Sequence, residues 1–201
     1  LLFTVALRLL KWRLAGVQKS RFGSVEERLD LLGVAARNAP TGGLWLEFGV
    51  FRGESLNFLA LRFDERLYGF DSFEGLPTRW GIEYKAGSFS TAGAVPEVGT
   101  NVTLVRGLFS DTLPPFLNVH PDGAVSFLHI DSDLYDSARV VLEALRPRIR
   151  VGTVIVFDEY CGALPDDEAR AFREFIRSSR VRFEYLGSSL EAGSVAVRIS
   201  A

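Results

Sequence analysis

From residue 44 onward, short β-type runs alternate with amphipathic helical stretches, and this rhythm limits the fold more than any other feature of the chain. Strands are predicted over residues 44–49, 66–71, 102–105, 124–131 and 153–158, and helices over 54–63, 137–145 and 166–178. Such alternation predicts an α/β fold: a mostly parallel sheet with helices on both faces. The last two runs, 181–186 and 194–199, are joined by a connection too short for a crossover helix, so they should pair antiparallel at one sheet edge. Ahead of the first strand, Ser24-Val25-Glu26-Glu27 is a capping-box start, and Val25, Leu29, Leu32, Ala35 and Ala36 follow at helical spacing to about Asn38. Pro40, Gly42 and Gly43 end that helix. No internal repeat and no second apolar core are visible, so one domain is expected.

Composition removes several function classes. The chain has 201 residues, 47% hydrophobic and 24% charged, which suits a folded domain rather than a disordered one. Lys+Arg 23 against Asp+Glu 25 leaves a formal net charge of -2, too balanced for a protein that grips a polyphosphate backbone, so no nucleic-acid partner is expected. Cys161 is the single cysteine and there are two histidines, which excludes an internal disulfide and a Cys/His zinc site. A reducing, cytoplasmic setting is the natural expectation. The absence of Met implies a processed or trimmed form. Residues 1–23 differ from the rest: they are apolar, and they carry Arg8, Lys11, Arg13, Lys19 and Arg21 with no acid. The charges break the apolar run short of the ~20 residues a membrane span needs. No basic n-region precedes that run, so it is not a clean signal peptide either. An accessory helix is expected there, packed on the domain or on a second subunit, which leaves homo-oligomerisation through it open.

In an open parallel sheet the ligand sits beyond the carboxyl ends of the strands, where chain order reverses. Four predicted strand ends carry acids: Glu47, Asp71, Asp131, and Asp158 with Glu159. Each buried carboxylate costs several kcal/mol unless it is compensated, so the crevice should suit a cationic ligand, a metal, or both. The first turn reads Glu47-Phe48-Gly49-Val50-Phe51-Arg52-Gly53-Glu54-Ser55. Gly49 and Gly53 allow a tight turn and a close ligand approach, but the spacing is not the G-x-G-x-x-G of dinucleotide sites. An acid aimed into that turn would repel a pyrophosphate and attract an ammonium or sulfonium. This favours S-adenosylmethionine over NAD. Asp71, ending the second strand, is placed to take ribose hydroxyls or, alternatively, to cap a helix.

Five motifs in order carry a resemblance: Glu47-Phe48-Gly49-Val50-Phe51-Arg52-Gly53; Gly69-Phe70-Asp71-Ser72-Phe73-Glu74-Gly75-Leu76-Pro77; Gly107-Leu108-Phe109-Ser110-Asp111-Thr112-Leu113-Pro114; His129-Ile130-Asp131-Ser132-Asp133-Leu134-Tyr135; and Val156-Phe157-Asp158-Glu159-Tyr160. From about Ser24 to Ile199 the chain resembles the class I S-adenosylmethionine-dependent methyltransferases, and within them the macrocin O-methyltransferase-like (TylF/MycF/NovP) group. The resemblance implies a Rossmann-like methyltransferase fold over residues 24–201, with a seven-stranded, mostly parallel sheet and an antiparallel C-terminal strand. It implies that Glu47, Gly49, Gly53 and Ser55 meet the amino-acid end of the cofactor, Asp71 its ribose, and Ser72, Phe73, Phe109 and Ser110 its adenine. It also implies a magnesium site at Asp131, Asp158 and Glu159, although better-known members carry two adjacent aspartates where this chain has Asp158-Glu159.

The implied reaction is in-line methyl transfer to a small-molecule hydroxyl, of a natural-product sugar or a vicinal diol, with a base taking the proton. Asp131 is the first candidate base, with His129 and Asp133 in reserve. His129 points the same way as Asp131 but deeper, and also reads as a satisfied core histidine. Asp133 also reads as a helix start. The long connection over residues 79–100, with Trp80, Tyr84, Lys85 and Phe89, reads as a lid over the acceptor, or as aromatics pinning a loop to the domain. Two rivals stand beside this reading: an NAD- or nucleotide-dependent Rossmann enzyme, and a non-catalytic scaffold that keeps the fold.

Overall fold

The computed structural model of the protein describes residues 25–161, 166–189 and 193–201. In chain order the elements are α1 (Val25–Arg37), β1 (Leu44–Phe48), α2 (Glu54–Ala60), β2 (Leu67–Asp71), β3 (Val102–Arg106), α3 (Phe109–Val119), β4 (Val125–Ile130) and α4 (Tyr135–Leu145). A 3-10 turn (Arg146–Arg148), β5 (Val154–Phe157), α5 (Asp167–Ser179), β6 (Phe183–Ser188) and β7 (Val195–Ile199) follow. The strands form one seven-stranded sheet in the order β3-β2-β1-β4-β5-β7-β6. Strands β3, β2, β1, β4 and β5 pair in parallel, whereas β7 is antiparallel to both β5 and β6. The expected mostly parallel sheet is present, with the final hairpin at its edge. Chain order reverses between β1 and β4, which opens a crevice beyond their carboxyl ends.

The two-residue strand period sorts the core onto two faces. Leu46 and Phe48 of β1, Leu128 and Ile130 of β4, and Ile155 and Phe157 of β5 pack with residues of α3, α4 and α5, including Phe116, Val141 and Phe172. Trp45, Phe127, Val154 and Val156 point the other way, against Leu31, Leu32 and Ala35 of α1 and Leu56 and Leu59 of α2. Phe48, Phe127 and Phe157 are wholly buried, each stabilising the fold by about 1.5–3 kcal/mol relative to exposure. Two buried ionisable residues interrupt this pattern. Glu47 and His129 are cross-strand neighbours in the β1–β4 register, and both are buried.

Helix α3 is absent from the sequence expectation because it contains Pro114 and Pro115, which remove two helical donors. It forms because Leu113 and Phe116 are buried against the sheet. The carbonyls that lose their partners belong to Ser110 and Asp111, which are exposed rather than buried. The accessory helix expected over residues 1–23, and Ser24 of the capping box, lie outside the described residues. Among the described residues no helix is long and apolar enough to cross a membrane.

Candidate active site

The turn after β1 has three residues in the left-handed region, Gly49 (φ 97°), Phe51 (φ 50°) and Gly53 (φ 78°). A Cβ on Gly49 would lie 1.7 Å from the Asp131 carbonyl oxygen, so glycine is what lets the ends of β1 and β4 come together. Asp71 fixes the turn. The N–H groups of Val50 (2.8 Å) and Phe51 (2.7 Å) donate to its Oδ2, and that of Phe73 (2.7 Å) donates to its Oδ1. Asp71 is therefore the clamp joining the turns after β1 and β2, and it also lines the crevice.

A cavity of about 670 Å³ lies over these strand ends. Of the expected cofactor residues, Gly49, Ser55, Asp71, Ser72, Phe109 and Ser110 line it. Glu47, Gly53 and Phe73 are not part of its wall. The expectation that Glu47 faces the crevice is corrected: its Oε1 accepts the Ser55 hydroxyl (3.0 Å), and its Oε2 hydrogen-bonds His129 Nδ1 (2.9 Å), with both residues only 1% exposed. Any influence of Glu47 on a ligand passes through Ser55 or His129. Phe73 is a core residue of the α1/α2 face, and Gly53 is the left-handed residue before α2.

The acids after β4 and β5 continue the wall, where Asp131, Asp133, Asp158 and Glu159 all line the cavity. Two residues without an expected role organise them. Arg28, on α1, places Nη1 3.1 Å from Asp131 Oδ2 and 3.1 Å from Asp158 Oδ2, and Nη2 lies 3.6 Å from Glu54. Glu168, on α5, is fully buried. It accepts the N–H of Ser132 (2.8 Å) and Asp133 (3.2 Å) on Oε1, and the N–H of Glu159 (3.1 Å) on Oε2. One carboxylate thus ties the β4 and β5 loops together. Periodicity holds the only trace of both: Arg28 precedes Leu32 and Ala35 at i+4 and i+7, and Glu168 precedes Phe172 and Phe175 likewise, so each sits on a buried helix face.

The three expected metal ligands do not converge as a set. The ligand atoms lying within 4.8 Å of one another belong to His129, Asp131 and Asp158, while Glu159 stands apart on the wall. With Nδ1 held by Glu47, His129 has Nε2 left to offer, an arrangement common behind metal-binding imidazoles. One nitrogen and two carboxylates suit a divalent cation. The surroundings suit it too. Desolvation, and then Asp158, push Asp133 up to about 7. Desolvation and then Asp158 and Asp133 push Glu159 up to about 8. Asp131 is also raised by desolvation and by Asp158, against the pull of Arg28. Among the described residues the cavity wall carries seven carboxylates against Arg28 and Arg52. Such a wall favours positive ligands and repels a diphosphate.

The 79–100 connection closes one side. Trp80 and Tyr84 exchange backbone hydrogen bonds (2.9 and 3.2 Å) and stack at 5.4 Å, and Tyr84 packs on Phe89 at 5.0 Å. Trp80, only 2% exposed, also packs with Leu76 and Leu134. Trp80 and Tyr84 thus pin the loop and, with Phe89, line the cavity, whereas Lys85 does not.

A methyltransferase-domain family matches residues 46–160, from β1 to the loop after β5. A curated relative from Streptomyces olivaceus, an 8-demethyl-8-(2,3-dimethoxy-alpha-L-rhamnosyl)-tetracenomycin-C 4'-O-methyltransferase, is 30% identical over 161 residues. That match covers 67% of this chain, and the chain spans 60% of the relative's length. Among solved structures, the calicheamicin methyltransferase CalS11 superposes with a TM-score of 0.69 at 26% identity, over 87% of this chain and 80% of that one. The O-methyltransferase NovP gives 0.61 at 23% identity, over 88% and 79%. TomG of Streptomyces achromogenes, solved with SAM, gives 0.55 at 18% identity, over 98% and 96%. These last two show the Rossmann-like methyltransferase fold. The chain belongs to the methyltransferase-domain family.

Proposed function

We propose that the protein is an S-adenosylmethionine-dependent O-methyltransferase of the macrocin O-methyltransferase-like group, acting on a hydroxyl of a natural-product sugar. The observation that carries this reading is the cavity itself, whose lining joins the turn after β1 and Asp71 to the acids Asp131, Asp133, Asp158 and Glu159. A sulfonium donor matches the negative wall, which a dinucleotide diphosphate would not. The Streptomyces olivaceus relative is named as a methyltransferase of a rhamnosyl tetracenomycin, and CalS11 as a calicheamicin methyltransferase, which supports a natural-product acceptor.

In this reading the Gly49 turn and Ser55 hold the amino-acid end of the cofactor. Ser72, Phe109 and Ser110 border its adenine. Trp80, Tyr84 and Phe89 present ring faces on which a sugar packs. His129, Asp131 and Asp158 would hold a divalent cation, which would polarise the acceptor hydroxyl and ease loss of its proton. The methyl carbon leaves sulfur for the acceptor oxygen in line, and the hydroxyl proton goes to a carboxylate. Asp133 is the better-placed acceptor of that proton. Asp131 is engaged by Arg28 and His129 by Glu47, whereas Asp133 sits on the cavity wall, its left-handed backbone (φ 62°) held by Glu168. Positioning supplies most of the rate.

Calorimetric titration with S-adenosylmethionine and with NADH, each with magnesium or with chelator, tests the cofactor. Incubation with isotopically labelled S-adenosylmethionine and rhamnosylated acceptors tests the reaction. Labelled methyl ether on the sugar is the expected product. NADH binding without S-adenosylmethionine binding would replace this reading with the nucleotide-dependent one, and binding of neither would favour a scaffold.

A further inference from the structure

Arg28 stands in the place a cation would want. Its Nη1 lies 3.1 Å from Oδ2 of both Asp131 and Asp158, bridging the two acids that converge with His129. Asp158 Oδ1 is held by the Ser194 hydroxyl at 3.1 Å, and the other oxygen, Oδ2, is the one Arg28 takes. A magnesium ion binds oxygen at about 2.0–2.1 Å, so an ion held by both Oδ2 atoms and the guanidinium nitrogen would contend for the same space with the same sign of charge. Arg28 comes from α1, outside the 46–160 segment that matches the methyltransferase-domain family. Its side chain is 22% exposed and already touches a third acid, Glu54, which is 62% exposed and lies on the solvent side at 3.6 Å.

We propose that Arg28 is the resident counter-ion of the Asp131–Asp158 pair, and that a divalent cation enters only by displacing its guanidinium toward Glu54. The inference rests on reading the acidic wall as a cation site. It adds that this chain carries an internal competitor on α1, so that loading the cation and docking α1 through Arg28 oppose each other. By linkage, whatever strengthens the Arg28 contact weakens the cation's affinity by the same factor.

The test is manganese binding to the purified full chain, followed by electron paramagnetic resonance of the unbound ion, for wild type, Arg28→Met, Arg28→Lys and Asp158→Asn. Arg28→Met should bind about tenfold or more tightly than wild type, within the usual range of a coupling between sites. Arg28→Lys should fall between them, and Asp158→Asn should lose the site. Equal or weaker affinity in Arg28→Met, with Asp158→Asn still abolishing binding, would overturn the competition and leave the cation site standing. Binding by neither wild type nor Arg28→Met would overturn both. Because Arg28→Met could fold poorly, nitrogen-detected spectra of the wild-type arginine side chains provide a second measurement. Saturating magnesium should shift the Arg28 guanidinium signal and speed its rotation, and an unchanged signal with magnesium bound at Asp158 would refute the displacement.

Discussion

Replacing Glu168 asks whether one buried carboxylate holds the two acidic loops in register. Its two oxygens accept three backbone N–H groups, from Ser132, Asp133 and Glu159, at 2.8, 3.2 and 3.1 Å. In Glu168→Ala all three lose their acceptor. At about 1–3 kcal/mol for each unmet buried donor, and with water able to enter from the cavity side, the loss is about 3–5 kcal/mol, set against the ~5–15 kcal/mol that holds a domain folded. Glu168→Gln keeps one oxygen and turns an amide NH₂ on the other loop, so only one side of the tie breaks, at about 1–2 kcal/mol. Part of that is offset, because burial and the neighbouring Asp133 and Asp158 already disfavour the ionised carboxylate that glutamine replaces. Urea unfolding followed by circular dichroism in chelator gives both values. The Gln variant should retain S-adenosylmethionine affinity within about threefold while kcat falls more than about tenfold, since Asp133 and Glu159 move but the Gly49 turn does not. An Ala variant within about 1 kcal/mol of wild type, or a Gln variant as damaged as Ala, would refute the tie: the first because the N–H groups have other acceptors, the second because charge rather than acceptor count governs.

Three further outcomes are expected. Gly49→Ala places a methyl 1.7 Å from a backbone oxygen at φ 97° and should lose more than about 3 kcal/mol in urea unfolding, whereas Gly42→Ala, at φ 78° with nothing within 4 Å, should lose about 1 kcal/mol; equal losses would remove the steric argument. Trp80→Ala should raise the acceptor KM about tenfold or more while leaving S-adenosylmethionine affinity within threefold; the reverse split would assign the loop to the cofactor. Asp133 and Glu159 are raised from 3.8 and 4.5 to about 7 and 8, so each contributes stability that is complete below its ordinary value and lost as pH rises through the raised one. In chelator, Tm should therefore fall between about pH 4 and pH 8, and a Tm that rises across that window would contradict the crowding of these acids.

The sheet was legible because strand period and strand–helix alternation are local signals. Leu46, Phe48 and Trp45 announce their faces by parity alone. Helix α3 was not legible, because Pro114 and Pro115 speak against a helix locally and only burial of Leu113 and Phe116 against the sheet decides for it. The acidic wall was legible as a row of strand-end carboxylates. Which of them face the cavity was not. Glu47 turns inward because the β1–β4 register sets it beside His129, a pairing fixed only when the strands meet. Arg28 and Glu168 act from helices far away in sequence, and their helical spacing marks a buried face without saying what meets it.

Local sequence does not distinguish these acids, so the donors each one finds must decide what it does. Glu47, Asp71 and Glu168 each meet hydroxyl, imidazole or backbone N–H groups. Those contacts leave the acids bound into the framework, holding turns and loops in place without calling for a cation. Asp131, Asp133, Asp158 and Glu159 are crowded together, and among the described residues Arg28 is the cation within bonding distance of two of them. Burial, and after it their mutual repulsion, raises three of the four. The framework acids therefore make the site rigid, and the wall acids make it attractive to positive charge. This is the division that the proposed methyl transfer asks of the pocket: a fixed framework around acids that would face a sulfonium and receive a proton.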